Sequence, residues 1–264
     1  MPDGREPLSA RTLASIRDIA PEAWDAMGGP GHPFVAHAFL AALEDSGSAT
    51  AETGWTPMHL VVEDSAGQAL AAAPLYLKRH SLGEYVFDHA WADAYGRAGG
   101  RYYPKLLCAV PFTPATGPRL LVPPALDPAR GEETRAVLAE ALAEIAARLG
   151  VSSLHVNFPR PIDAQALRAA GYLARAGVQY HWQNQGYAGF DDFLGQLSSR
   201  KRKAIRKERA AVREAGVVVT ALTGADLREA HWDAFHAFYR DTTERKCGGG
   251  YLTREFFSEC PSLR

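Results

Sequence analysis

Between Arg200 and Arg213, eight of fourteen residues are Lys or Arg and one is Glu, so this segment carries +7 in a chain whose formal net charge is −1. So dense a run of charge stays out of a core, and the remainder of the chain, summing to −8, has to supply one. Ser198 and Ser199 offer N-caps, and neither Gly nor Pro intervenes before Gly216, which predicts one helix over the stretch. At about 100° per residue, Arg202, Arg206, Arg209 and Arg213 fall within roughly 60° of arc. Leu197, Ala204, Ala211, Val212 and Ala215 gather on the other side. The spacing therefore predicts an apolar face that packs and an outward cationic rail. Like charges at i and i+4 repel by about a few tenths of a kcal/mol per pair. A phosphate-bearing ligand or an acidic surface offsets that cost, because guanidinium groups match phosphate oxygens two at a time. The competing reading is a solvated face paired to acidic neighbours.

The other residues are sufficient for a core. Of 264 residues, 47% are hydrophobic, enough for one large domain or two small ones. Met1 to Arg17 is polar and holds no apolar run of the length a signal peptide or membrane span needs, so a cytoplasmic location is expected. Cys108, Cys247 and Cys260 are odd in number and show no C-x-x-C spacing, which fits a reducing compartment.

Read in order, residues 1–12 are expected to be a flexible N-terminus and Ala14 to Ile19 a short strand. Pro21 opens a helix through Trp24 and Met27 that stops at Gly28-Gly29-Pro30, and Phe34 to Leu43 is a second helix. Thr56–Glu63 and Ala69–Leu77 read as two strands joined by the turn Asp64-Ser65-Ala66-Gly67. Residues 80–117 mix aromatic, acidic and basic side chains. A strand at Arg119 to Val122, a long amphipathic helix from about Glu132 to Leu149 and a strand at Ser152 to Phe158 follow, an order that favours parallel neighbours. Asp163 to Ala170 is a short helix, and Gly177 to Trp182 a further strand.

After the basic helix the outline repeats. Val217 to Leu222 reads as a strand, Ala225 opens a helix holding Trp232-Asp233-Ala234, and a Gly-rich break precedes Phe256-Phe257. Trp24-Asp25-Ala26, a Gly-rich break and Phe39-Leu40 occupy the same places in the first passage. A duplicated unit is expected, with a first domain over residues 13–186, the basic linking helix over 187–215, and the start of a second, incomplete domain over 216–264.

Five stretches carry a family resemblance: Phe87-Asp88-His89-Ala90-Trp91-Ala92-Asp93-Ala94-Tyr95, Tyr102-Tyr103-Pro104-Lys105-Leu106, Val110-Pro111-Phe112-Thr113-Pro114, Gln179-Tyr180-His181-Trp182, and Leu197 to Arg209. Together they resemble the FemAB-like branch of the GNAT acyltransferase superfamily, the branch named for peptidoglycan biosynthesis or recognition. The resemblance implies an α/β fold of α+β type, with a mixed sheet flanked by helices and tandem units, the second one truncated. It also implies an N-acyltransferase or aminoacyltransferase. The donor would be acyl-CoA or an aminoacyl-tRNA, and the acceptor an amine on a nucleotide-linked small molecule such as a peptidoglycan precursor. By position in the motif, Arg200, Lys201, Arg202, Lys203 and Arg206 are the candidates for holding the acceptor's phosphates.

Acyl transfer to an amine requires removal of a proton from the nucleophile, and Asp88, His89 and Asp93 are the candidate acid/base groups, with Asp88 placed to orient His89. Three mixed ligands without a fourth argue against a metal site. Tyr102 and Lys105 suit stacking on a base and contact with a phosphate, and His181 suits lining a cleft from its strand. The alternative for all of them is internal satisfaction of polar atoms. Arg130-Gly131-Glu132-Glu133-Thr134, at the expected start of the long helix, lacks the second glycine of a CoA pyrophosphate loop and sets carboxylates where phosphate would sit. The second functional class kept open is a non-catalytic protein that binds tRNA or another anionic polymer through the basic helix.

Overall fold

The computed structural model describes residues 8–246 and 248–259. Residues 1–7, part of the expected flexible N-terminus, together with Cys247 and Cys260, lie outside them. Two compact units form. One is built from the chain up to Ala174 together with the chain from Leu227 on, and the other is Arg175–Asp226.

In the larger unit the elements run β1 (Ser9–Leu13), α1 (Pro21–Gly28), α2 (His37–Asp45), β2 (Trp55–Pro57), β3 (His59–Glu63), β4 (Ala69–Ala73), β5 (Leu75–Lys78), α3 (His89–Arg97), β6 (Lys105–Cys108), α4 (Pro128–Leu149), β7 (Leu154–Val156) and α5 (Pro161–Ala169). The hairpin expected at Thr56–Leu77 forms, and its turn is tied by Asp64 Oδ1, which accepts from Ala66 N and Gln68 N, with Gly67 at φ 79°. It divides between two sheets, however, ordered β1-β3-β4 and β2-β5-β6-β7. The division falls beside Pro57 and Pro74, neither of which can donate to a ladder.

Side chains alternate across the strands, and both faces are covered. Val61, Ala72, Tyr76 and Leu107 join Trp24, Leu40, Leu43 and Phe256 on one side. Leu60, Val62, Leu75, Leu106 and Cys108 join Leu138, Leu142 and Leu167 on the other. Burial on both faces explains why these strands read as continuous apolar runs. The fold is thus the expected mixed α/β class, with helices on both faces of the strands.

Several expectations are corrected. The first strand is Ser9–Leu13, within the stretch expected to be flexible, because Ser15 and Asp18 cap a short 3-10 turn where a strand was predicted. The long helix starts at Pro128, capped by Asp127 accepting from Arg130 N at 3.1 Å, so Gly131 and Glu132 lie within the helix rather than before it. The parallel partner of β7 is β6; Arg119 to Val122 contributes an isolated bridge from Leu121 to Ala72.

Gly177–Trp182 and Val217–Leu222 form no strands. Val178 and Val218 are 81% and 86% exposed, and β-branched residues without a half-buried surface to pack on have no reason to extend into a ladder.

Helices α8 (Glu229–Arg245) and α9 (Arg254–Glu259), numbered after the two helices of the smaller unit, belong to the larger one. Phe39 on α2 meets Phe256 on α9 edge to face at 5.8 Å, and Thr253 Oγ1 donates to Ser46 O at 2.9 Å. The aspartates of the two Trp-Asp-Ala passages each bond the following helix, one through a backbone amide and the other through a guanidinium. Asp25 Oδ1 accepts from His37 N, and Asp233 Oδ1 accepts from Arg254 Nε, both at 2.8 Å and both at the first residue of the following helix.

The smaller unit holds α6 (Phe190–Gly195) and α7 (Ser199–Glu214). Helix α7 is the predicted basic helix, capped by Ser198 and followed by Gly216 at φ 70°.

Candidate functional site

In the larger unit the antiparallel register of β5 and β6 places Lys78 directly opposite Lys105. Each ends an otherwise apolar strand, Leu75-Tyr76-Leu77-Lys78 and Lys105-Leu106-Leu107-Cys108, and both side chains are fully buried. Two cations facing each other across a ladder repel, so this arrangement needs anions or a neutral amine. The loop leading to α3 supplies the anions. Lys105 Nζ donates to Glu84 Oε2 at 2.9 Å, to Asp88 Oδ2 at 2.5 Å and to Ser81 Oγ at 2.8 Å, which uses all three of its protons. Tyr102 OH donates to Asp88 Oδ2 at 2.8 Å, and Ser81 Oγ is 2.7 Å from Tyr103 OH. Lys78 Nζ lies 3.5 Å from the centre of the Trp55 ring and donates to Leu82 O at 3.3 Å.

The electrostatics of the four charged groups diverge. Burial raises Glu84, against the pull of Lys105. Burial also acts to raise Asp88, but hydrogen bonds from Lys105, Ser81 and Tyr102 outweigh it and hold the carboxyl down at about 2. Burial drops Lys78 to about 7, with Glu84 opposing and Lys105 adding to the fall. Tyr102 is raised by burial and by its bond to Asp88. An acid shifted up beside an amine shifted down is the pairing that proton-transfer sites use. Glu84 Oε1 and Asp88 Oδ1 are buried without a hydrogen-bond partner, so the carboxylates keep unused acceptor capacity.

The cover over this cluster is strained. Tyr85, next to Glu84, has φ 56°, and Phe112 has φ 59°. Gly83, at φ 78°, lies so close to the Phe112 ring that an added Cβ would come within 2.6 Å of it. Left-handed backbone at two aromatic residues persists only where the surroundings enforce it.

Of the residues singled out from sequence, Asp88, Tyr102 and Lys105 come together here. Asp88 does not orient His89; its bonded oxygen is taken by Lys105 and Tyr102, while His89 and Asp93 are exposed on α3. Lys78, Ser81 and Glu84 were missed. The sequence signal for the two lysines was a cation ending each of two apolar strands, which becomes visible only once the register is known. Two surface grooves, one between β1 and α4 and one around Gly28 to Ala36, are not lined by this cluster.

In the smaller unit His181 is exposed, with Nε2 3.2 Å from Gln179 Oε1. The arginine stripe of α7 faces solvent at Arg206, Arg209 and Arg213, with Arg202 half-buried, but most of it is partnered rather than free. Arg202 donates to Gly195 O at 3.3 Å, Arg206 pairs with Asp191 at 3.1 Å, and the Arg209 guanidinium lies 4.2 Å from the centre of the Phe190 ring. Three of the four stripe arginines therefore fasten α7 to α6, and the alanine face expected to pack is exposed. Among the described residues Arg200, Lys201, Lys203, Lys207 and Arg213 make no ion pair, and Arg200, Lys203 and Lys207 share an arc of roughly 60° on a different side of the helix.

The start of α4 does not fit the pyrophosphate of acyl-CoA. Its first residue, Pro128, has no amide to offer, Arg130 N donates to the Asp127 carboxylate, and Glu132 and Glu133 follow in the first two turns.

Among curated proteins no match to the sequence is found. In a comparison of structures, the aminoglycoside antibiotic 6'-N-acetyltransferase AAC(6')-Ih from Acinetobacter baumannii aligns with 68% of this chain and 100% of its own, at 12% identity and a TM-score of 0.39. A tandem GNAT protein from the clavulanic acid biosynthesis pathway aligns with 62% of this chain and 43% of its own, at 18% identity and a TM-score of 0.37. No helix among the described residues is long and apolar enough to cross a membrane. The FemAB-like family model, described as peptidoglycan biosynthesis/recognition, matches residues 15–263, and the chain belongs to that family.

Proposed function

We propose that the protein is an N-acyltransferase that moves an acyl or aminoacyl group onto an amine of a phosphate-bearing acceptor such as a peptidoglycan precursor. The observation that carries this reading is the buried cluster in which Lys105 bridges Glu84 and Asp88 directly across the ladder from Lys78, in a member of this family. In the proposed reaction the acceptor amine attacks the carbonyl carbon of the donor. The new N–C bond forms, and the C–O or C–S bond to the donor breaks. The amine's proton passes to the Glu84 carboxylate, and Lys78 returns one to the departing oxygen or sulfur. Asp88 and Tyr102 hold Lys105, which keeps Glu84 in place. Entry of the amine requires loop 80–88 to swing outward, and its outer side chains Leu82, Tyr85 and Phe87 already face solvent. His89 and Asp93, exposed at the start of α3, are assigned to the acceptor's outer part.

In the smaller unit, taken by itself, Arg200, Lys201 and Lys203 are assigned to phosphate binding and His181 to ligand contact, whereas Arg202 and Arg206 hold α7 against α6. We read α8 and α9 as the opening helices of a second copy of α1 and α2, on the strength of the repeated Trp-Asp-Ala passage whose aspartate in each case bonds the first residue of the next helix. The cytoplasm is the proposed location.

The test is a transfer assay with acyl-CoA and aminoacyl-tRNA as donors and a nucleotide-linked peptide as acceptor. Transfer by the wild-type protein that is lost in Glu84→Gln supports the reading. A folded wild-type protein that transfers nothing, but binds tRNA with steep salt dependence, would replace it with the binding-protein alternative.

A further inference from the structure

We propose that Arg135, Arg160 and Asn157 form a phosphate-binding site in the larger unit, separate from the lysine and carboxylate cluster and independent of the function proposed above. The site lies at the carboxyl end of the parallel β6–β7 pair. Asn157 directly follows β7, its N donating to Cys108 O at the end of β6, and Arg160 N donates to Gly117 O. Ligands of open α/β sheets gather at such strand ends.

The charge there does not balance. Arg119, Arg135 and Arg160 surround one carboxylate, Asp163, which is fully buried, and this leaves +2 uncompensated. Arg119 is 1% exposed, and its guanidinium is taken up by backbone oxygens of Asn157, Pro118 and Ala115. Asp163 Oδ2 accepts from Arg119 N at 2.9 Å. Its Oδ1 stands 3.5 Å from both Arg135 Nε and Arg160 Nη2, too far for a good hydrogen bond. Two guanidinium groups are thus only loosely held by the single anion available.

Unused donors point the same way. Arg135 Nε, Arg160 Nε and Asn157 Nδ2 are buried without a hydrogen-bond partner, three donors against the single unbonded oxygen Asp163 Oδ1, and Asn157 is only 6% exposed. Buried donors of this kind are normally satisfied. A phosphate monoester carries close to two negative charges and several acceptor oxygens, which matches both the +2 and the missing acceptors. Arg160, with its side chain 30% exposed, leaves an approach from solvent.

The phosphate could arrive free or on a nucleotide, and two probes separate these sources. The unfolding midpoint of the full chain is measured with inorganic phosphate and with UDP, each against chloride at equal ionic strength. Near about a hundredfold Kd we expect a rise of roughly 5–10 °C. Protection by UDP at lower concentration than by phosphate assigns the site to a nucleotide-linked ligand, and equal protection assigns it to free phosphate; both support the site. Arg160→Gln and Arg135→Lys lose most of the rise, whereas Arg148→Gln, at the far end of α4, keeps it. Circular dichroism confirms that each variant folds. The proposal is overturned by an unshifted wild type, by Arg160→Gln and Arg135→Lys that respond like wild type, or by loss of the response in Arg148→Gln.

Discussion

Replacing Lys78 with Met separates the proton chemistry of the buried cluster from its packing. Lys78 falls from its ordinary 10.5 to about 7 on folding. At about 1.36 kcal/mol per tenfold in proton affinity, this corresponds to a penalty of up to about 5 kcal/mol for keeping the ammonium charged inside. Between pH 7 and 10.5 the folded protein has released this proton and the unfolded chain still holds it. Stability from this group therefore rises with pH across that window, by at most about 1.36 kcal/mol per pH unit. Below pH 7 both states are charged and the penalty is present in full.

Methionine matches the volume and carries no charge, so Lys78→Met removes the penalty. It also removes the contact with the Trp55 face, worth roughly 1–2 kcal/mol, and weakens the restraint on Glu84. We expect the variant to be more stable than wild type by about 2 kcal/mol at pH 6, with the gap closing near pH 8.5 and reversing above it. Urea denaturation of both proteins at pH 6, 7, 8.5 and 9.5 measures it, and the difference between them cancels every other titrating group. Stability curves that run parallel across this range would refute the assignment of a depressed proton affinity to Lys78.

Four further outcomes follow from the same structure. Lys105→Met leaves Glu84 and Asp88 buried without their cation and should cost about 3–5 kcal/mol by chemical denaturation, unlike Lys78→Met. Cys108, buried and pushed up to about 12 by that burial, should stay unlabelled by a thiol reagent at pH 8 in the native protein and react after unfolding, as read by peptide mass spectrometry. Leu142→Ala, which opens a void under α4, should cost about 2–5 kcal/mol. On α7, replacing Arg200, Lys203 and Lys207 together by Ala should weaken tRNA or nucleotide binding in filter assays and flatten its salt dependence, while Arg206→Ala, which breaks an exposed pair with Asp191, should change stability by less than about 1 kcal/mol.

Local chemistry made much of this fold legible. Pro21, the Asp64 to Gly67 turn, Ser198 and Gly216 act through their own backbone and near neighbours, and each does in the structure what its type suggests. What failed depends on partners distant in sequence. Val217 to Leu222 has strand-forming side chains and no strand to pair with, whereas Thr56 to Glu63 found two sheets because two prolines interrupt its ladder. The arginine stripe was visible from spacing, but its partners were not, since α6 is a short helix with few periodic positions. The candidate site was half visible. Asp88, Tyr102 and Lys105 stood out as polar groups in an aromatic stretch, while Lys78 and Glu84 take their character from the β5–β6 register and from burial, neither of which sequence spacing specifies.

The central claim is that the Glu84 carboxylate takes the proton of the attacking amine, and single-turnover transfer by wild type and by Glu84→Gln over pH 5–9 tests it most directly. Transfer by the variant should fall by about a hundredfold or more, with its fold intact by circular dichroism and the low-pH limb of the rate profile abolished. A Glu84→Gln protein that transfers at the wild-type rate with an unchanged pH profile would contradict it.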